Sequence, residues 1–271
     1  MRKKPRGALP RLIGVLHLTP LPGAPCGAGA DPSCLLAEAG ERAVKEAVML
    51  ERAGFDGLII ENFADTPFFK CTVPPETVAS MSIIAAAVRE SVKIPVGINI
   101  LRNDGPSALA VAAVTGCSFI RVNVLCGVVA TDQGLVDGDA AMLMRKRMEL
   151  SAENISVLAD VHVKHARQLS SDDIALAVEE TALRAMADAV IVTGSTTGRA
   201  VDLGQLKLAR DVAKKHSIKL YAGSGCTAAN ISKIKPLVYG VIVGSAIRKG
   251  GMAGAPLDHA ALRAFARAFK R

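Results

Sequence analysis

Tryptophan is missing from this chain, and other aromatics are scarce: 7 Phe and 2 Tyr in 271 residues. A protein that stacks bases on aromatic side chains needs more of them, so nucleic acid is not an expected partner. Cysteines fall at positions 26, 34, 71, 117, 126 and 226, and no two form a CxxC pair. That scatter argues against a structural zinc site and for reduced thiols in a cytoplasmic protein. No apolar run is long enough to span a bilayer. The basic start MRKKPRG is not followed by the apolar segment of a signal peptide.

Half of the residues are hydrophobic, which suffices for a large core and excludes a disordered chain. The formal net charge is +8, with basic residues at both ends: Arg2, Lys3, Lys4 and Arg6, then Arg263, Arg267, Lys270 and Arg271. Such a balance by itself suits an anionic small molecule, nucleic acid or an acidic membrane face. No linker or shift of composition divides the chain. One domain over 1–271 is expected, with 1–10 as a basic N-terminal extension.

Short apolar runs alternate with longer amphipathic ones. The strand candidates are 12–18, 57–61, 95–101, 119–124, 157–163, 189–193, 219–222 and 240–243. Helical patterns cover 35–53, 77–90, 106–115, 139–150, 172–186, 203–216, 227–234 and 259–269. Eight strand–helix pairs predict a (β/α)8 TIM barrel of the phosphate-binding type. A doubly wound open sheet would need a glycine fingerprint after its first strand, and LTPLPGAP follows instead. Two long loops, 19–33 and 125–138, stand on the catalytic side and are candidate walls or lids.

Side chains on a strand alternate between its faces. In ADVHVKH, Ala159, Val161 and Val163 fall on one face and Asp160, His162 and Lys164 on the other. The apolar set is expected against the helices, which turns the ionisable set into the barrel. The same parity places Glu61, Asn99, Arg121, Asn123 and Thr193 inward, with Val124 among the outward residues. Strand one shows no clear parity, and His17 is placed only by its position at the strand end.

Polar groups thus gather where barrel strands end, the place catalytic groups occupy in this fold. Asp160, His162, Glu61 and His17 are candidate proton-transfer groups, and Lys164 a candidate for stabilising an anion or forming a Schiff base. Asn99, Arg121, Asn123 and Thr193 are candidate substrate contacts. Arg121, Lys164, Glu61 and Asp160 could instead pair among themselves as a purely structural network. Asp160, His162, His17 and Glu61 also offer donors for a divalent metal, without a diagnostic spacing.

After strand seven comes AGSGCT, and after strand eight VGSAIRKGG. Loops in these two positions bind phosphate in many barrels, because glycine lets backbone N–H groups approach an anion. Ser224, Gly225, Gly244 and Ser245 are the expected contacts, with TGSTTG at 193–198 as a third glycine-rich wall.

The motifs GVLHLTPLPGAP, DGLIIENFADTPF, PVGINILRND, FIRVNVLCG, TDQGLVDG, ADVHVKHA, TGSTTG and GSG occur in that order. Together they resemble the BtpA/SgcQ family over roughly residues 12–250. The resemblance implies a barrel similar to phosphosugar-binding enzymes. One branch of that family is named for photosystem I biogenesis at the membrane, and another occurs beside sugar-uptake genes. The chain departs from the family pattern at Tyr239-Gly240, where Asp-Gly is common, and at Ser245-Ala246, where Thr-Ser is common.

Two functions follow as expectations. The first is an enzyme acting on a small phosphorylated sugar or nucleotide-derived substrate by acid–base chemistry, as isomerase, lyase or hydrolase. The second is a non-enzymatic peripheral factor for biogenesis of a membrane protein complex. A homo-oligomer is expected in either case.

Overall fold

The computed structural model describes residues 7–163, 166–169, 172–194 and 202–270. Eight strands close into a barrel: β1 (Leu12–His17), β2 (Gly57–Glu61), β3 (Val96–Asn99), β4 (Phe119–Val122), β7 (Ser156–Val161), β9 (Ala189–Val192), β10 (Lys219–Ala222) and β11 (Gly240–Val243). Each pairs in parallel with its neighbours in chain order, and β11 returns to β1. The expected TIM barrel is the fold observed.

Three further strands build a small antiparallel sheet above the barrel. The hairpin β5 (Val128–Thr131) and β6 (Gly134–Asp137) lies within the 125–138 loop, and β8 (Arg167–Gln168) pairs with β5. Gly134 takes φ +92 beside the turn, a conformation that costs glycine little.

Helices surround the barrel: α1 (Pro32–Ala53), α2 (Pro75–Ser91), α3 (Gly105–Thr115), α4 (Ala140–Glu149), α5 (Ile174–Glu179), α6 (Leu203–Lys215), α7 (Ile231–Ile234) and α8 (His259–Lys270). Six are started by aspartate. Asp31, Asp104, Asp139, Asp173, Asp202 and Asp258 each accept backbone N–H bonds at a helix N-terminus, satisfying donors that the helix itself cannot. The helical pattern at 172–186 is not one helix: α5 gives way to a π turn at Glu180–Arg184.

Alternation sorts the core into two bodies. Leu58, Ile60, Val96, Ile98 and Val190 pack with the helices. Ile13, Val15, Ile59, Phe119, Leu158 and Ile191 fill the barrel. Gly97 makes room for the Phe119 ring, since a Cβ there would lie 2.3 Å from it. Interior packing tolerates no such overlap.

Two residues depart from the expected parity. Val163 and Val124 do not face the helices; they pack with Val129 and Val136 beneath the small sheet. Their strands end earlier than the apolar run, at Val161 and Val122, and His162 takes φ +54. Past that left-handed residue the two-residue period no longer holds.

Candidate functional site

The buried polar residues meet where the barrel strands end. Arg121 grips Asp160 at two points, Nε to Oδ1 at 3.0 Å and a terminal nitrogen to Oδ2 at 2.8 Å. Asn123 donates to the same Oδ2 at 3.2 Å, and Asn99 donates to Asn123 Oδ1 at 3.0 Å and to the Arg121 carbonyl at 3.1 Å. Glu61 lies 3.7 Å from the other terminal nitrogen of Arg121. All five are buried. Burial pulls the Arg121 pKa down, but the charge and hydrogen bonds of Asp160, with Glu61 beside them, outweigh it and raise it. The Asn99 Oδ1 atom is buried and has no hydrogen-bond partner among the described residues, which makes it an acceptor open to a ligand donor.

His17 ends β1 with inward parity, following Ile13 and Val15. Its ring lies on Phe63, with centroids 4.5 Å apart, and its Nδ1 accepts the Gly254 backbone N–H at 3.2 Å. An accepting Nδ1 places the proton of a neutral ring on Nε2.

The two Gly-Ser loops come together. Ser224 and Gly225 after β10 and Gly244 and Ser245 after β11 line one cavity, and His17, Glu61 and Arg121 line it too. Gly225 takes φ +77, and Asn230 clips its loop by donating to the Gly225 carbonyl at 2.8 Å. A Cβ on Gly244 would stand 3.0 Å from the His17 ring.

His162 and Asp160 line an adjoining cavity, together with Asn123, Gln168, Glu180 and Thr181. Gly127 and Val129 of the small-sheet hairpin wall it, so the 125–138 loop does border the site. Thr193 donates to the His162 carbonyl at 3.3 Å and meets Gly223 beside the phosphate loop. The 19–33 loop stands elsewhere: Gly23, Ala24 and Pro25 line a more apolar cavity with Phe68, Phe69 and Val73.

Residues 9–271 match the model of the BtpA family. The chain belongs to that family. It is 44% identical to "Photosystem I biogenesis protein BtpA" of Synechocystis over 94% of this chain and 86% of that one. Among solved structures, "Native KDPGal structure" superposes with a TM-score of 0.59 at 17% identity, covering 98% of both chains. Phosphoribosyl anthranilate isomerase from Thermus thermophilus superposes at 0.58 and 11% identity, over 96% of this chain and 98% of that one. These two similarities show the fold alone.

Some expectations for this BtpA-family chain fall outside the described residues: Lys164, most of the TGSTTG wall, and the basic residues at 2–6 and 271. Among the described residues no three His, Cys, Asp or Glu side chains converge to hold a metal ion. Asp160 is instead held by Arg121 and Asn123. Among the described residues no helix is long and apolar enough to cross a membrane.

Sequence reasoning missed two arginines. Arg102, in the loop after β3, is buried; burial pulls its pKa down against the opposing pull of Asp160, Asp132 and Glu61. Asp132 is in the hairpin turn, so Arg102 lies within electrostatic reach of both the barrel mouth and its cover. Arg248, just past the Gly244–Ser245 loop, is also buried. Neither strand parity nor a known spacing singles out a loop arginine.

Proposed function

We propose that this chain is an enzyme acting on a small phosphorylated sugar or nucleotide-derived molecule, by proton transfer in an isomerase, lyase or hydrolase reaction. The observation that carries the reading is the shared cavity: two Gly-Ser loops in the phosphate-binding positions of the fold open onto the same space as Glu61, Arg121 and His17. The phosphate docks on the backbone and hydroxyls of Ser224–Gly225 and Gly244–Ser245, with the His17 Nε2–H as an added donor. Arg121 orients the polar end of the substrate.

Glu61 is the proton-transfer group in this reading. Both Asp160 oxygens are held by Arg121 and one also by Asn123, whereas among the described residues Glu61 has one ion pair, a long one, which leaves lone pairs for a substrate proton. Asp160 serves to aim Arg121, with Asn99 and Asn123 as its supports. His162 and Thr193, around the adjoining cavity, serve the part of the substrate remote from its phosphate. Lys164 stays a candidate for anion stabilisation.

A thermal-shift screen of sugar phosphates and nucleoside monophosphates, followed by NMR detection of turnover, tests this. A stabilising ester should be converted by wild type and not by folded Glu61→Gln. Absence of stabilisation by any phosphate ester counts against the reading.

The name of the Synechocystis relative favours one other reading, a non-enzymatic peripheral factor for a membrane protein complex. Co-sedimentation with anionic vesicles at low and high salt separates the two. Light scattering tests the expected homo-oligomer.

A further inference from the structure

The Arg248 side chain is fully buried directly behind the phosphate-loop turn Ser245–Ile247. A buried guanidinium is costly unless it is paired and its donors are used. Arg248 is paired at two points with Glu46 on α1, at 3.1 and 2.8 Å. It also donates to the Val15 carbonyl at 2.8 Å and to the Ala255 carbonyl at 2.6 Å. Neither Arg248 nor Glu46 lines the phosphate-loop cavity.

What the pair holds, however, does line it. The Arg248 backbone N–H closes the Ser245 turn at 3.0 Å. Val15 precedes His17 by two residues on β1. Ala255 follows Gly254, whose N–H is the donor to His17 Nδ1. Arg42 grips the same strap from outside: it donates to the Gly254 carbonyl, and its Nε pairs with Glu46 at 3.1 Å. One ion cluster therefore anchors the strap over His17 and the turn beneath the proposed phosphate.

We infer that the Glu46–Arg248 pair is a positioning element that sets the His17 tautomer. By fixing the Gly254 N–H against Nδ1, it keeps the proton on Nε2, the nitrogen that stands beside Gly244. A strap free to shift would let the ring take the other tautomer and turn a hydrogen-bond acceptor toward the anion. The tautomer assignment stands by itself; its consequence for phosphate rests on the function proposed above.

The test is ¹⁵N correlation NMR of the imidazoles in ligand-free full chain, with His17 assigned through His17→Gln, plus titration with inorganic phosphate. Wild type should show His17 protonated at Nε2 and bare at Nδ1. Arg248→Lys and Arg42→Ala should shift the ring toward a mixture of tautomers and weaken phosphate binding roughly 2- to 30-fold. Arg263→Ala, on the exposed face of α8, should change neither. Should Arg248→Lys fail to fold, Arg42→Ala decides alone, because that side chain is 27% exposed. An Nδ1–H tautomer in wild type, or an unchanged tautomer in the folded variants, overturns the inference. Tautomer shifts without phosphate binding by any form would sustain it and sink the phosphate reading.

Discussion

Arg121 and Asp160 form a two-point buried ion pair between neighbouring barrel strands, with hydrogen bonds of 3.0 and 2.8 Å. Removing one partner strands the other charge in the core. Asp160→Asn should therefore cost about 3–5 kcal/mol of stability, measured by urea unfolding. Lys146→Ala, which breaks an exposed pair with Glu149, should cost about 0–1 kcal/mol. Similar losses for both would mean that the Arg121–Asp160 contact is not the anchor described.

Gly244 presses on His17. An added methyl would lie 3.0 Å from Cε1 and 3.2 Å from Nε2, closer than ordinary contact. Gly244→Ala should displace the ring from the phosphate-loop cavity and weaken phosphate binding severalfold, with the fold intact by circular dichroism. Gly7→Ala, at an exposed position where nothing lies within 4 Å, should leave binding unchanged. Titration calorimetry with inorganic phosphate reads both.

Burial pushes the Cys117 thiol up to about 11, partly opposed by Thr115, and the Cys226 thiol up to about 12. Both stay protonated in the fold at pH values where an unfolded thiol ionises. Between pH about 9 and 12 the folded chain holds more protons than the unfolded one, so stability falls as pH rises. This contribution is fully present below about pH 9. The double variant Cys117→Ala, Cys226→Ala should show a flatter fall of Tm from pH 8 to 10.5. At pH 8 a disulfide reagent should reach the exposed Cys26 and Cys34 quickly and these two only through opening of the fold.

The barrel was legible because its strands are short apolar runs separated by capped helices. Inward polar residues showed wherever a strand alternates, as at Glu61, Asn99, Arg121 and Asp160. His17 did not, because β1 is buried on both faces and its apolar residues hide the period. The small sheet was not legible either: its strands are four, four and two residues long. Val163 was misplaced because nothing in the sequence announces the left-handed turn at His162. No sequence pattern marks Arg248, because its partner, Glu46, lies 202 residues away on a helix.

The proposed function depends most directly on the shared cavity of the Gly-Ser loops. Calorimetric titration of wild type and Ser245→Glu with ribose 5-phosphate, at fixed ionic strength, tests it. Saturable binding by wild type that is abolished by the added carboxylate is the predicted result. Absence of binding by wild type, or equal binding by both, would contradict a phosphate site between these loops.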